Sequence, residues 1–355
     1  MTTMTAIERV ETVLRGGVPD RVPVDFHDFM VAARRSGTPF PEHFQSGEAM
    51  AQGQIALWRE LGHDVVLVEN GTAALAQACG VGVEYMEDTA PVSFVPAIES
   101  LDDVDQLVMP DLYTTPPLAE NLKATRIVVE EIGRQAFVMG RADQGPFSLA
   151  SMIVGIEEFL VAMALPGNED KLAKLLSFAE EVVYRYALAQ MEQGAHMTSI
   201  GESIAGPDVC APAVYSQWAQ TADKRLVERL DADGIRLAYH VCGNATPIVD
   251  AMVATGAAVL ELDYKCDLPT INAATAGRST VLGVIDPSEV IARSDPETVR
   301  AAVREEIEVL GPGGGLIVGP GCALPPETSI ENLHAFVEAA HEHGRYGPGG
   351  RLLGV

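Results

Sequence analysis

Residues 236–244 read RLAYHVCGN, a short apolar run that ends in His240 and Cys242. Runs of this kind recur along the chain between longer helical patterns. Together they predict eight strands: Val22–Phe26, Val65–Glu69, Ala136–Gly140, Met197–Gly201, Arg236–His240, Ala258–Leu262, Thr280–Val284 and Gly315–Gly319. Continuous apolar runs are typical of parallel strands that helices cover on both faces. Eight such strands alternating with helices predict an α/β fold, the (β/α)8 TIM barrel.

The length and composition fit a single domain over residues 1–355. A chain of 355 residues with a hydrophobic fraction of 47% can bury one large core, and barrels of this type exceed 250 residues as one domain. Before the first strand, apolar residues at helical spacing predict an N-terminal helical extension. Prolines interrupt any period between about 85 and 130, so we expect an irregular insertion there. The prolines are Pro91, Pro96, Pro110, Pro116 and Pro117.

Two other helices have readable ends. One follows Asn168, a candidate N-cap, and should end at Gly194. The last helix opens with the capping-box pattern Thr328-Ser329-Ile330-Glu331 and should stop near Gly344.

The charge balance excludes some partners. The chain has 50 acidic and 24 basic residues, a formal net charge of −26, which opposes binding to nucleic acid or to anionic membranes. With no run of 18 apolar residues and no signal-like N-terminus, we expect no membrane association and a cytoplasmic location. The five cysteines are an odd number in a long chain, which favours free thiols or metal ligands over disulfides.

His240 and Cys242 share one face of a strand, because side chains alternate with a period of two. Cys322 follows the eighth run in Gly-Pro-Gly-Cys, so it should lie at the same C-terminal end of the barrel, where active sites collect. One imidazole and two thiolates match a catalytic zinc site with an open fourth position. Asp263, or Glu261, could supply a fourth ligand. Alternatively these are ordinary core residues, since free cysteine behaves as a small buried hydrophobe.

Other polar residues follow the predicted strands. Glu202 and Asp286 are our candidate catalytic residues, since a carboxylate at such a strand end can act as a general base. Glu69 and Asn244 are candidate cofactor-binding residues. Arg141 and Asp143 also lie at the predicted rim. For each of these carboxylates, loop capping is an equally good interpretation. His27, His43 and His63 show no metal spacing and receive no role.

Longer motifs surround these candidates. They are RV…LRG…PDRVPV from Arg9 to Val24, GPFSLA over 145–150, HVCGN over 240–244, Asp286-Pro287, and GPGCA…PET…ENL from Gly319 to Leu333. In this pattern the chain resembles the uroporphyrinogen decarboxylase superfamily, and within it the methylcobalamin:coenzyme M methyltransferase branch. The likeness runs nearly end to end.

The resemblance implies a barrel enzyme with a zinc ion on His240, Cys242 and Cys322. The zinc would bind a small thiol substrate as its thiolate, which attacks a methyl group on the cobalt of a corrinoid, methylcobalamin. A separate corrinoid-binding protein would supply that cofactor, because the chain has no Asp-x-His-x-x-Gly cobalamin signature. The resemblance also allows a homodimer.

Departures from the family pattern bear on the substrate. The arginine-rich stretch by which decarboxylases hold propionates is missing, and Glu69 stands where they place an aspartate. The methyltransferases often have Gly-Asn before Asp-Pro, whereas here Gly283 is followed by Val284-Ile285. A polar contact at the barrel mouth is lost in this way, so the identity of the thiol stays open. Two alternatives also remain open: a metal-free lyase of the decarboxylase type, and a non-catalytic module that docks a corrinoid or metal carrier.

Overall fold

The barrel closes around eight parallel strands. The computed structural model describes residues 3–354. Its barrel strands are Asp25–Phe26, Val65–Val68, Phe137–Gln144, Met197–Glu202, Leu237–Val241, Val259–Leu262, Thr280–Gly283 and Leu316–Ile317, paired in that order. The first and last strands meet where the Asp25 N–H donates to Val318 O at 3.0 Å and the Val318 N–H donates to Pro23 O at 2.9 Å. The predicted (β/α)8 barrel is confirmed, and all eight predicted runs contribute a strand.

Helices surround this barrel. The α-helices are Ala6–Leu14, Phe29–Ser36, Phe40–His43, Gly47–Leu61, Ala74–Ala78, Pro116–Ile132, Pro146–Val154, Ile156–Ala164, Glu169–Glu192, Pro212–Val214, Gln220–Ala232, Val249–Val253, Leu268–Thr275, Pro296–Leu310 and Ile330–His343. Short 3-10 turns occupy Leu101–Gln106, Thr246–Ile248 and Pro348–Gly350. π-Helical turns occupy Tyr215–Ala219 and Pro287–Ala292.

Alternation along the strands builds an apolar layer at the N-terminal end of the barrel interior. The inward side chains are Val65, Leu67, Phe137, Met139, Met197, Ala238, Val259, Leu282 and Ile317. Val10 and Val13 of the N-terminal helix pack against them and are almost fully buried. The predicted helical extension therefore covers this end of the barrel, and each of these two valines contributes about 1.5–3 kcal/mol by leaving water.

The expected irregular insertion is partly wrong. Gly82–Glu84 and Val92–Val95 form an antiparallel hairpin, and residues 116–132 form a regular helix of 17 residues. Pro116 and Pro117 lie in the first turn of that helix. Proline is tolerated there because first-turn N–H groups have no partner within the helix. These prolines therefore begin a helix instead of breaking one.

The predicted helix ends are close to those observed. Helix Ile330–His343 is capped by Ser329, whose side chain accepts from the Asn332 N–H, and it stops before Gly344. Helix Glu169–Glu192 begins after Asn168, but that side chain makes no capping bond. The Asn168 amide donates instead to Ala162 O at 3.2 Å.

Within residues 3–354, no single helix has both the length and the apolar composition to cross a bilayer. Only the bent pair Pro146–Val154 and Ile156–Ala164, with 107° between them, passes that test jointly.

Candidate metal centre

Three side chains converge at the C-terminal end of the barrel. The ligand atoms of His240, Cys242 and Cys322 all lie within 4.8 Å of one another, and His240 Nε2 is 3.1 Å from Cys242 Sγ. Nitrogen and sulfur ligands of one tetrahedral zinc ion lie about 3.3–3.8 Å apart. The donor types are those of zinc sites, and the three ligand atoms lie near enough that small side-chain movements would bring them onto one ion.

His240 is oriented for metal binding by its second ring nitrogen. His240 Nδ1 lies 3.0 Å from the backbone oxygen of Glu261, and a carbonyl oxygen can only accept. Nδ1 must therefore carry a proton, and Nε2 is the ring nitrogen that faces the sulfur atoms. Metal-binding histidines commonly use a backbone carbonyl in this way to set the tautomer and the ring plane.

The two thiols shift each other's pKa in opposite directions. The hydrogen bond with Cys322 lowers the pKa of Cys242, against the effect of burial. The same hydrogen bond, together with burial, raises the pKa of Cys322 to about 12.

A cluster of four buried, charged side chains adjoins His240, and we call these residues the buried charge cluster. They are His27, Glu69, Arg141 and Glu261. His27 Nε2 is 2.6 Å from Glu69 Oε2, and its Nδ1 is 3.1 Å from Glu261 Oε1. Arg141 Nη1 donates to Glu261 Oε2 at 3.1 Å. All four residues are at most 4% exposed.

The charges in this cluster balance. Burial alone would raise the pKa of Glu261, but the charges of His240, Arg141 and His27 hold it well below its usual range. Burial would lower the pKa of His27, but Glu69 and Glu261 raise it well above its usual range. His27 and Arg141 are therefore the cations that compensate the two carboxylates, as buried charges require.

Glu202 does not join the metal ligands. Its two carboxylate oxygens accept from the N–H groups of Phe147 and Ser148, at 2.9 and 2.7 Å, at the start of helix Pro146–Val154. Glu202 lies four residues after Thr198 on the same strand, so the two side chains point to the same side. The Thr198 hydroxyl donates to Gln190 in the surrounding helices. Alternation thus sends Glu202 outward, where it caps a helix instead of lining the mouth.

Asp263 also lies outside the three-residue group. Its Oδ2 accepts from the Gly243 N–H at 2.9 Å, and its Oδ1 accepts from the Lys265 N–H at 3.1 Å. The carboxylate therefore holds the loops after the fifth and sixth strands together. The structure places it in the loop-capping role that was the alternative to a fourth ligand.

The other candidates lie at the rim. Asp286 Oδ1 accepts from the N–H groups of Ser288 and Glu289 and so caps the turn Pro287–Ala292. Asn244 Oδ1 accepts from the Thr246 N–H at 3.1 Å in a local turn. The catalytic role of Asp286 and the binding roles of Asn244 and Glu69 stay predictions.

His27 is the residue that sequence reasoning missed. It lies two residues after the inward Asp25, so strand parity could have placed it inside the barrel. No local signal indicates its partner Glu261, which is 234 residues away in the sequence.

The hairpin in the insertion reaches the same mouth. Tyr85 and Ala90 of its connecting loop pack against an apolar cluster that Ala323, the residue after Cys322, also contacts. The cluster consists of Phe29, Ala33, Phe40 and Phe44. Phe94, in its second strand, is 77% exposed. A cavity of about 330 Å³ lined in part by Leu14, Ala258 and residues 313–315 lies at the opposite end of the barrel and belongs to no part of this site.

Comparison with known families covers almost the whole chain. The pattern of the uroporphyrinogen decarboxylase (URO-D) family matches residues 5–343. The chain belongs to this family. Among its relatives is the methylcobamide:CoM methyltransferase MtbA of Methanosarcina acetivorans, 27% identical over 97% of this chain and 99% of that protein. The uroporphyrinogen decarboxylase of Ralstonia pickettii is 26% identical over 79% of this chain and 81% of that protein.

Solved structures show the same fold. A methyltransferase from Methanosarcina mazei superimposes with a TM-score of 0.87 at 24% identity, covering 96% of this chain and 99% of that one. A B12-independent methionine synthase from Shewanella has a TM-score of 0.57 at 11% identity, over 83% of this chain and 85% of that one.

Proposed function

We propose that this protein is a zinc-dependent methyltransferase that moves a methyl group between a corrinoid on a partner protein and a small thiol. The observation that carries the proposal is the convergence of His240, Cys242 and Cys322, with His240 Nε2 as the ring nitrogen turned toward the sulfur atoms. Relatives named methylcobamide:CoM methyltransferases match 97% of the chain and support the corrinoid chemistry.

The three ligands would hold the metal and leave a fourth position for the substrate. When bound, zinc would lower the pKa of a substrate thiol, ordinarily about 8.5, so that the sulfur is a thiolate at neutral pH. Asp263 is not a ligand in this proposal, because each of its oxygens already accepts a backbone N–H bond that holds two loops together.

The chain's own residues position His240 through a chain of buried contacts. The Glu261 carbonyl fixes the ring of His240, while the Glu261 side chain is held by Arg141 and His27. Glu69 in turn holds His27. This second layer resists movement of the ligands, as outer contacts do in other metal sites.

Asp286 is our candidate for contact with the substrate. It directly follows Ile285, which pairs with Pro320, two residues before Cys322. Asn244 and Glu69 complete the proposed binding residues. Glu202 has no part in the proposal, since its carboxylate is used in capping a helix.

Metal content and methyl transfer test the proposal together. We expect about one zinc per chain by elemental analysis, lost in Cys242→Ser and Cys322→Ser and retained in Cys79→Ser, a half-buried cysteine outside the cluster. Zinc-loaded protein should transfer the methyl group of methylcobalamin to 2-mercaptoethanol, followed by the visible spectrum of the corrinoid. Protein purified without chelators that contains no zinc, or turnover that survives both cluster substitutions, would contradict the proposal.

A further inference from the structure

Another cavity lies at the N-terminal end of the barrel, opposite the metal ligands. Its volume is about 400 Å³, and its lining includes three arginines, one aspartate and one histidine: Arg9, Arg21, Arg345, Asp20 and His341. These residues belong to the N-terminal helix, the segment before the first strand, and the end of the last helix with the chain that follows it. Arg21 and Arg345 form an isolated antiparallel bridge, which joins two of these segments.

Two of the arginines are neutralised by carboxylates. Arg9 donates through Nε and Nη2 to Asp20 and through Nη1 to Asp64. Arg21 donates through both Nη atoms to Asp64. Backbone N–H groups complete this network, so each of the four carboxylate oxygens accepts two hydrogen bonds. Glu8, which lies near Arg9, is turned back onto the start of its own helix.

The third arginine, Arg345, has no carboxylate partner among residues 3–354. Its Nε donates to His341 O at 3.1 Å, and the residue is exposed. His341 Nε2 is buried and has no hydrogen-bond partner among the described residues. Buried polar atoms in folded proteins are normally satisfied by protein groups, by water or by a ligand. The cavity therefore contains a cation and an imidazole nitrogen that the described residues leave without partners.

The charge around His341 is positive. Burial and the charges of Arg21, Arg9 and Arg345 lower the pKa of His341 to about 4, against the effect of Asp64. With three guanidinium groups and two carboxylates, the network has one positive charge in excess while His341 is neutral. This local excess occurs in a chain whose formal net charge is −26, so it attracts anions where most of the protein repels them.

We propose that this cavity binds a phosphate group, either as the inorganic ion or as a small phosphate monoester. A guanidinium group presents its N–H donors in a plane that matches the oxygens of phosphate. A monoester is a dianion at pH 7, because its second pKa is about 6. One of its charges balances the excess at Arg345, and the other favours a proton on His341. The cavity and the metal ligands lie at opposite ends of the barrel, so this binding does not depend on the proposed methyl transfer.

Isothermal calorimetry on zinc-loaded protein at pH 7 measures the affinity for inorganic phosphate and for glycerol 3-phosphate, a small monoester. We expect one site per chain, with an affinity that falls as sodium chloride is added. The anion that binds more tightly identifies which of the two sources the cavity fits.

Variants locate the site. Arg345→Gln removes the unpaired cation and should weaken the Kd by about tenfold or more, whereas Arg345→Lys, which keeps the charge, should retain part of the affinity. The control Arg126→Gln removes an exposed arginine of helix Pro116–Ile132 that has no ion pair among residues 3–354. It should leave the Kd unchanged.

His341 supplies a readout that a purely structural role would not change. In protein labelled with carbon-13 histidine, the NMR shifts of the imidazole give its pKa, and the spectrum of His341→Gln assigns the signal. We expect saturating glycerol 3-phosphate to raise the pKa of His341 by about one unit or more, because a nearby dianion stabilises the charged imidazole. The pKa of His334, earlier in the same helix, should stay the same.

Three results would overturn the proposal. The first is no binding of either anion at about 10 mM, which corresponds to less than about 3 kcal/mol of binding free energy. The second is equal weakening by Arg345→Gln and Arg126→Gln, which would show a general effect of surface charge. The third is binding that survives Arg345→Gln but is lost when the zinc is removed, which would place the anion on the metal.

Discussion

The buried charge cluster predicts strong coupling between Arg141 and Glu261. In the native protein, Glu69 and Glu261 are balanced by His27 and Arg141. Glu261→Gln leaves one cation in excess, and Arg141→Met leaves one carboxylate in excess. The double variant restores the balance, because His27 and Glu69 still form a pair at 2.6 Å.

The expected magnitudes follow from the burial of these groups. Removing one member of a buried ion pair costs about 3–5 kcal/mol, because the remaining charge has no partner. Arg141 and Glu261 are 4% and 1% exposed, so each single variant should lose about that much free energy of unfolding. The double variant should lose less than the sum of the two by about 2–3 kcal/mol.

Urea unfolding followed by circular dichroism, on metal-free protein, measures the free energy of unfolding of the native protein, the two single variants and the double variant. The exposed pair Arg304–Glu308, with side chains 55% and 40% exposed, supplies the control cycle as Arg304→Met and Glu308→Gln. There we expect coupling below about 0.5 kcal/mol. If the losses of the two single variants at Arg141 and Glu261 add up to the loss of the double variant within about 0.5 kcal/mol, the balance argument is refuted.

Three further predictions concern single carboxylates. Burial raises the pKa of Asp28 to about 7, whereas an aspartate in the unfolded chain titrates near 4. The free energy of unfolding is therefore highest at low pH, where Asp28 is protonated in both states, and it falls as the pH rises from about 4 through 7. In urea unfolding, the free energy of unfolding of Asp28→Asn minus that of the native protein should therefore increase by about 3 kcal/mol between pH 4.5 and pH 8. Asp263→Asn should keep its zinc in elemental analysis, because its carboxylate caps backbone N–H groups. Glu202→Ala leaves two buried N–H groups without acceptors and should cost about 2–4 kcal/mol in urea unfolding while kcat is unchanged at 25 °C.

Each of these has a result that would count against it. An advantage of Asp28→Asn that is the same at both pH values would show that Asp28 is already ionised in the folded protein at pH 4.5. Loss of zinc in Asp263→Asn would restore Asp263 as a ligand. A fall in kcat of Glu202→Ala with an unchanged unfolding free energy would restore Glu202 as a catalytic residue.

Strand parity explains both the convergence of two of the metal candidates and the capping position of Glu202. His240 and Cys242 differ by two positions, so one face holds both, and this follows from the sequence alone. Glu202 also lies at a strand end, but it shares the parity of the outward Thr198. Counting parity from the inward Met197 would have shown that its carboxylate faces a helix.

The sequence by itself determined the eight strands, their parallel arrangement and the three metal candidates, because these depend on local periodicity and on the common end at which barrel strands finish. Only the tertiary structure decided which polar groups meet. Barrel closure brings His27 of the first connection to Glu261 of the sixth strand, and loop packing brings Asp263 to the Gly243 N–H. Such contacts depend on distances across the barrel interior, which no spacing along the chain encodes. The contacts that position the three metal candidates therefore could not be read from the sequence.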